Sequence, residues 1–288
     1  MSPETERVVQ IPCNGEFLHG VFHGCGHDGA TQGRTWGMVF CDPFAEEKKC
    51  AHRVLVEAAR RFALADFACL RFDYRGCGDS PGQFADFGPN EWMHDIVAAV
   101  DYMRGELRVE GVGLLGVRLG ATLGLFAPAL GTQFDFAVLW EPVVDGRRYM
   151  SLNLKRSMIK AMMTDGEDFD AGSVRQRHDD GAVVDFDGYT VARSTQEHIA
   201  RLSLLDDPPP FRAPALVLNL GSRADPDRAH RELAERMDDA TVDAVIQEPF
   251  WNRIGLVAAE QTIQTTELWL AELRTRVAAQ GDADADQG

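Results

Sequence analysis

Apolar residues gather along this chain into short runs, separated by polar, glycine- and proline-containing breaks. Runs of strand length fall at 7–11 (RVVQI), 16–22 (EFLHGVF), 36–41 (WGMVFC), 67–72 (FACLRF), 112–115 (VGLL), 135–140 (DFAVLW), 215–220 (ALVLNL) and 242–246 (VDAVI). From the third run onward most are apolar at nearly every position, as parallel strands covered on both faces must be. Helical periods occupy 50–65, 90–104, 119–130, 226–238 and 257–277. In the second of these Trp92, Ile96, Ala99, Val100 and Met103 share one face, and Asn90 is placed to cap the start. Strands alternating with helices predict an α/β fold: a mostly parallel, doubly wound sheet of about eight strands with right-handed crossovers.

The alternation breaks between about 145 and 210. A methionine-rich stretch, RRYMSLNLKRSMIKAMM, leads into a polar, glycine-containing run and then LLDDPPPFRAP. An insertion after one strand and before the next reads as a helical lid over the carboxyl edge of the sheet. Met150, Met158, Met162 and Met163 offer a deformable apolar surface that suits an alkyl or acyl ligand. The same residues could instead pack on the sheet or on a second subunit, making a homodimer. Residues 1–277 read as one domain carrying this lid. Residues 278–288, which end in QGDADADQG, read as a disordered acidic tail.

Composition narrows the partners. Hydrophobic residues are 45% and charged residues 26% of the chain, enough apolar material for a core of its own. Twenty-nine basic against 45 acidic residues leave a net charge of −16, a surface that repels nucleic acid and anionic lipid and sets both aside as partners. No apolar run approaches the ~18 residues of a membrane span. The opening MSPETERVVQIP has acidic residues where a signal peptide needs basic ones, so a cytoplasmic protein is expected. All six cysteines (13, 25, 41, 50, 69 and 77) lie in the first third without a C-x-x-C pair, which argues against disulfides. Cys69 reads as a buried small hydrophobe and Cys77 as a small turn residue. His19, His23, Cys25 and His27 alternate along LHGVFHGCGHD, but no metal-binding spacing fits and Gly24 and Gly26 suggest a turn. They read as surface histidines beside a hairpin, and no metal or cofactor is expected.

The chemistry concentrates in GVGLLGVRLGATLG, residues 111–124. A strand, a sharp turn and a helix follow one another there, with glycines at 116 and 120. In the nucleophile elbow, G-x-S-x-G, the central residue is a serine. Here it is Arg118. A guanidinium stays protonated and cannot attack a carbonyl.

Two further stretches carry a resemblance. Asp73-Tyr74-Arg75-Gly76-Cys77-Gly78-Asp79-Ser80, directly after the fourth strand, gives D-x-R-G-x-G-x-S and resembles the α/β-hydrolase superfamily, whose element order residues 7 to 275 fit. Asp42-Pro43-Phe44-Ala45-Glu46-Glu47-Lys48-Lys49 with Arg53, together with LRFDYRGCGDSPGQF and AVLWEPVVDG, resembles the exosortase A system-associated hydrolases (type 2) of bacterial surface-polysaccharide gene clusters. The resemblance implies an α/β-hydrolase fold and a triad in the order serine, acid, histidine. Of the three slots Arg118 fills the first. Asp225, in GSRADPD, suits the second. Trp251 and Asn252 stand in the third, since no histidine lies beyond His230.

Losing even one triad member lowers rates by ~10⁴–10⁶-fold, so standard acyl transfer is expected to be absent. Arg118 at a helix N-terminus makes an electropositive spot suited to a carboxylate or phosphate. Its partner could be a ligand, or internally Asp225, Glu141, Glu46 or Glu47. The expected pocket involves Asp42, Phe44, Glu46, Glu47, Arg118, Leu119, Glu141, Met158 and Met162. The leading reading is a degenerate hydrolase that binds a small acidic or acyl ligand. One alternative is an active esterase or thioesterase using Glu46, Glu47 or Asp225. Another is a scaffold that docks a partner through the lid.

Overall fold

The computed structural model describes residues 6–24, 35–165, 184–186, 188–209, 211–253 and 255–285, with backbone alone at 160–162, 164–165 and 280–285. All eight expected runs form strands of one sheet. They are β1 (Glu6–Cys13), β2 (Glu16–His23), β3 (Trp36–Cys41), β4 (Phe67–Phe72), β5 (Gly111–Val117), β6 (Ala137–Trp140), β9 (Ala215–Gly221) and β10 (Ala240–Ile246). The order across the sheet is β1-β2-β4-β3-β5-β6-β9-β10. β1 pairs antiparallel with β2, and β2 with β4; every later pairing is parallel.

The apolar runs explain this order. β3 and β5 are buried at every position. Alternate residues of β5 serve two separate layers. Val112 and Leu114 pack with α2 (Pro89–Gly105) and α3 (Leu119–Phe126) on one face. Leu115 and Val117 pack with α1 (Glu46–Leu64) and α7 (Glu260–Ala285) on the other. α6 (Arg228–Glu235) joins the first layer through Leu233 and Ala234.

Between β6 and β9 the chain leaves the sheet. It forms α4 (Gly146–Asp165), the two-stranded pair β7 (Val184–Phe186) and β8 (Tyr189–Val191), and α5 (Arg193–Arg201). Phe186 meets Phe44 edge-on with ring centroids 6.0 Å apart, and Tyr189 meets Phe84 at 4.8 Å. The insertion is thus tied by aromatic rings to the segments that follow β3 and β4. The three-residue strands were invisible in the sequence because they are too short to show alternation.

Three local expectations change. α1 starts at Glu46, not 50, with two acidic residues in its first turn. α2 is not capped by Asn90: Gly88 is the cap, Pro89 opens the first turn, and Glu91 accepts a hydrogen bond from the Gly88 N–H at 3.0 Å. α7 continues to Ala285, so residues 278–285, expected as disordered tail, carry helical backbone. Alanines at 278, 279, 283 and 285 favour that continuation despite Gly281.

The D-x-R-G-x-G-x-S stretch is a corner built from side chains. Asp73 accepts from the Asp79 N–H at 3.0 Å, and the Ser80 hydroxyl donates to the Asp73 carbonyl at 2.6 Å. Arg75 reaches across to α2, where its Nε donates to Asp95 at 2.7 Å and its own N–H donates to the second carboxylate oxygen at 2.9 Å. Asp95 is fully buried. Breaking such a pair leaves an uncompensated buried charge, which costs about 3–5 kcal/mol. Asp95→Ala is therefore expected to destabilise the fold by about that amount. Urea denaturation checks it; a loss near zero would show that the corner does not depend on the pair.

Candidate functional site

At the end of β5 the chain turns into α3 through a single residue. Arg118 has φ 55° and ψ −121°. That is left-handed backbone, worth on the order of 1–3 kcal/mol of strain in a residue with a side chain. The two flanking glycines make the turn possible. A Cβ on Gly116 would lie 2.3 Å from the Cα of Ala121, and one on Gly120 would lie 2.2 Å from the carbonyl of Cys41. The turn is pinned to β6 by the Arg118 N–H, which donates to Trp140 O at 3.0 Å. Ala45, before α1, and Glu141, after β6, also have positive φ, at 52° and 48°. Three of the six non-glycine positive-φ residues among the described residues thus stand at the carboxyl ends of β3, β5 and β6, the others being Asn14, Asp66 and Arg108.

The Arg118 guanidinium lies between two rings. Its Cζ is 5.3 Å from the ring centroid of Tyr149 on α4 and 5.2 Å from that of Trp251. Contacts of this kind contribute on the order of 1–2 kcal/mol each where water is excluded. Its Nε is 3.6 Å from Glu47 Oε1, on the first turn of α1. The Tyr149 hydroxyl donates to the other Glu47 oxygen at 2.8 Å. Of the four carboxylates considered as partners, the ion pair forms with Glu47. It is a charge contact and not a hydrogen bond: Glu47 Oε1 and Arg118 Nε are both buried without a hydrogen-bond partner among the described residues.

Burial pushes the Glu47 carboxyl above its ordinary range, and Arg118 and the Tyr149 hydroxyl pull it back only in part. Burial works against the charge on Arg118, but Glu47, Tyr149 and Glu141 outweigh it and hold the guanidinium above its usual value. The cation stays charged.

The acid and histidine slots are filled differently from a triad. Asp225 sits exposed in the loop after β9 and makes no hydrogen bond or ion pair among the described residues. Its neighbour Asp227 caps α6, accepting from the His230 N–H at 2.9 Å, with the His230 ring Nδ1 also 2.9 Å away. That contact lowers Asp227 to about 2. The other ring nitrogen of His230 lies 3.3 Å from Pro142 O. The last histidine of the chain is thus occupied by a cap and a carbonyl. Trp251, expected in the third slot, lies on a 3₁₀ turn after β10 and closes the ring pair on Arg118.

Beside this assembly an open cleft of about 520 Å³ is lined by Phe44, Ala45, Glu46, Glu47 and Cys50, by Asn153, Arg156 and Ser157 of α4, and by Phe186, Trp251, Asn252 and Arg253. Phe44, Glu46 and Glu47 are expected pocket residues that reach this wall. Asp42 and Leu119 do not; with Phe44 they line a small adjoining hollow of about 10 Å³. Asp42 and Asp73 (the latter at 2.6 Å) hold the Lys48 ammonium between them. Burial opposes that charge, but the two carboxylates outweigh it and raise Lys48 above its usual range. Glu141 turns to β9 and accepts from Leu220 N at 2.6 Å and Asn219 Nδ2 at 2.7 Å. Met158 is half-buried on α4 but is not part of the cleft wall, Met150 is buried, and Met163 is exposed. The Met162 side chain lies outside the described residues.

The expected methionine wall is therefore replaced by aromatic and polar groups. Tyr149, Asn153, Arg156 and Ser157 were missed, although they recur at i, i+4, i+7 and i+8 and so share one helix face. Arg156 donates to Asn252 at 2.9 Å, and Arg253 pairs with Glu248.

The histidine reading also changes. His23 is buried, accepts from Arg71 Nε at 3.1 Å, and is lowered to about 4 by burial and by Arg71. It is not a surface residue. Cys25 and His27 lie outside the described residues. His19, Asp73 and Asp79 approach one another, but Lys48 and the Asp79 N–H already engage Asp73. Cys77 is buried, and burial pushes its thiol up to about 12, as suits an inert turn residue.

The Arg118–Glu47 pair has a pH signature. Because the folded protein holds Glu47's proton more tightly than the unfolded chain, this contribution to stability is present in full below the unfolded carboxylate's value. It is lost as pH rises through the higher folded value. Removing Arg118 moves that window upward. Arg118→Met is expected to destabilise by about 3 kcal/mol at pH 7.5, and by progressively less toward pH 5. Urea denaturation across this range checks it. A deficit independent of pH, or unchanged by adding Glu47→Gln, would show that the two groups are not coupled.

No protein-family model matches the chain, and no curated protein sequence matches it. Solved structures do. Est1E from Butyrivibrio proteoclasticus, seen with ferulic acid, aligns with a TM-score of 0.66 at 15% identity, covering 92% of this chain and 98% of that one. Proline iminopeptidase from Mycobacterium smegmatis aligns at 0.63 with 12% identity, over 92% and 98% of the two chains. Alpha/beta hydrolase domain-containing protein 10 from mouse aligns at 0.58 with 17% identity, over 94% and 99%. With the strand order described above, these likenesses show that the chain has the α/β-hydrolase fold.

Proposed function

We propose that this protein uses the α/β-hydrolase fold to bind a small carboxylate-bearing molecule and does not carry out Ser-His-Asp acyl transfer. The observation that supports this most is the guanidinium at the elbow, held by Glu47, Tyr149 and Trp251. It has no lone pair to attack a carbonyl, and among the described residues no imidazole is in contact with it. The cleft volume lies within the ~300–1,000 Å³ usual for small-molecule sites. Phe44, Phe186 and Trp251 would take the apolar body of the ligand, while Arg156 and Arg253 would meet its carboxylate. The insertion would act as the lid over this cleft. Est1E is seen with ferulic acid, an aromatic carboxylate whose size and charge fit the same layout. The motifs at 42–53 and 73–82 support a place among surface-polysaccharide systems.

A second reading has one observation in its favour. Glu47 is buried on the cleft wall with a raised pKa, as a general base for water would need to be. In that case hydrolysis would disappear in Glu47→Gln.

Two measurements separate these readings. Short-chain p-nitrophenyl esters are expected not to turn over above a mock preparation; hydrolysis that is lost in Arg118→Ala or Glu47→Gln would restore an enzyme. Calorimetric titration with ferulate and with octanoate is expected to show binding, weakened at least about tenfold in Arg156→Ala/Arg253→Ala, which corresponds to about 1.4 kcal/mol. Equal binding of the methyl esters, or none of either acid, would contradict a carboxylate site.

A further inference from the structure

We propose that the outer face of α4 seats the protein on an anionic membrane surface. α4 has two faces. The inner one carries Tyr149 and Met150, both buried, and the cleft residues Asn153 and Ser157. The outer one carries Leu152, Ile159 and Met163, which are 46%, 57% and 82% exposed. Their spacing, i, i+7 and i+11, sets them in one ridge along the helix. Arg148 and Lys155 lie on the same ridge at matching intervals, and Arg156 borders it; all three are exposed. An apolar ridge flanked by basic side chains belongs neither to the core nor to the cleft.

Charge identifies the occupant. α4 holds Arg147, Arg148, Lys155, Arg156 and Lys160 against a single Asp165, which is 5 − 1 = +4 in a chain of −16. The remainder of the chain therefore carries −20. Such a molecule is repelled by an anionic surface as a whole and attracted through this helix, so the field orients it as it approaches. The whole-chain charge, which argues against anionic lipid, hides this asymmetry. The ridge holds aliphatic side chains with basic residues spread from 147 to 160 and no acidic residue among them. A helix lying flat in the headgroup layer has this layout: apolar residues dip below the phosphates while Lys and Arg reach them. A partner protein would be expected to call for a bulkier, aromatic anchor on the ridge. None of the described helices is long and apolar enough to cross a membrane, so the contact is peripheral. With three apolar residues and a few basic ones it is reversible and sensitive to salt.

The test is co-sedimentation of the full chain with vesicles of phosphatidylcholine alone and of phosphatidylcholine with phosphatidylserine, at low and high salt. At least tenfold more protein should sediment with the anionic vesicles, and the difference should vanish at high salt. Arg148→Glu/Lys155→Glu should abolish it, and so should Ile159→Glu/Met163→Glu. Neither pair lines the cleft, so the thermal midpoint and carboxylate titration of each variant should match the parent, which separates a lost seat from a lost fold. Equal binding to both vesicle types, or none to either, would overturn the proposal. So would a halving of the native mass in Ile159→Glu/Met163→Glu, which would assign the ridge to a second copy of this chain.

Discussion

A cation drawn largely out of water must be neutralised, and at the elbow of this protein that requirement brings together three separate parts of the chain. Arg118 is pushed out of the sheet by the strained β5–α3 turn. Glu47 comes to it from the start of α1, Tyr149 from the inserted helix, and Trp251 from the turn after β10. Tyr149 serves twice, as a ring face for the guanidinium and as a hydroxyl donor to the carboxylate. The three residues that stabilise the charge gather around the elbow residue itself.

The rest of the carboxyl edge obeys the same rule. Lys48 is held between Asp42 and Asp73, Arg75 by Asp95, and the histidine of α6 by its own cap. Each of these charges has its counter-charge among the described residues. What remains open is the cleft, whose wall mixes two arginines with three aromatic rings. The open space thus lies beside the elbow, along α4 and the turn after β10.

Much of the fold was legible because parallel strands buried on both faces write themselves as unbroken apolar runs, and β3 and β5 are of this kind. The elbow was legible because close backbone approach admits only glycine at 116 and 120. The insertion was harder to read. Its strands are three residues long, and the methionines of α4 drew attention from the polar face of Tyr149, Asn153, Arg156 and Ser157 that meets the cleft. The partner of Arg118 was not readable from the chain. Four carboxylates were near enough in sequence order, and only tertiary packing brings Glu47 to the guanidinium while leaving Asp225 in solvent and Glu141 on β9.

The most direct measurement is nitrogen-15 NMR of the arginine side chains. If Arg118 is locked between Tyr149 and Trp251 against Glu47, its Nε–H gives a slowly exchanging resonance displaced by the ring currents. That resonance is absent in Arg118→Met and moves in Glu47→Gln. A signal at the position of exposed arginines, indifferent to Glu47→Gln, would contradict the account.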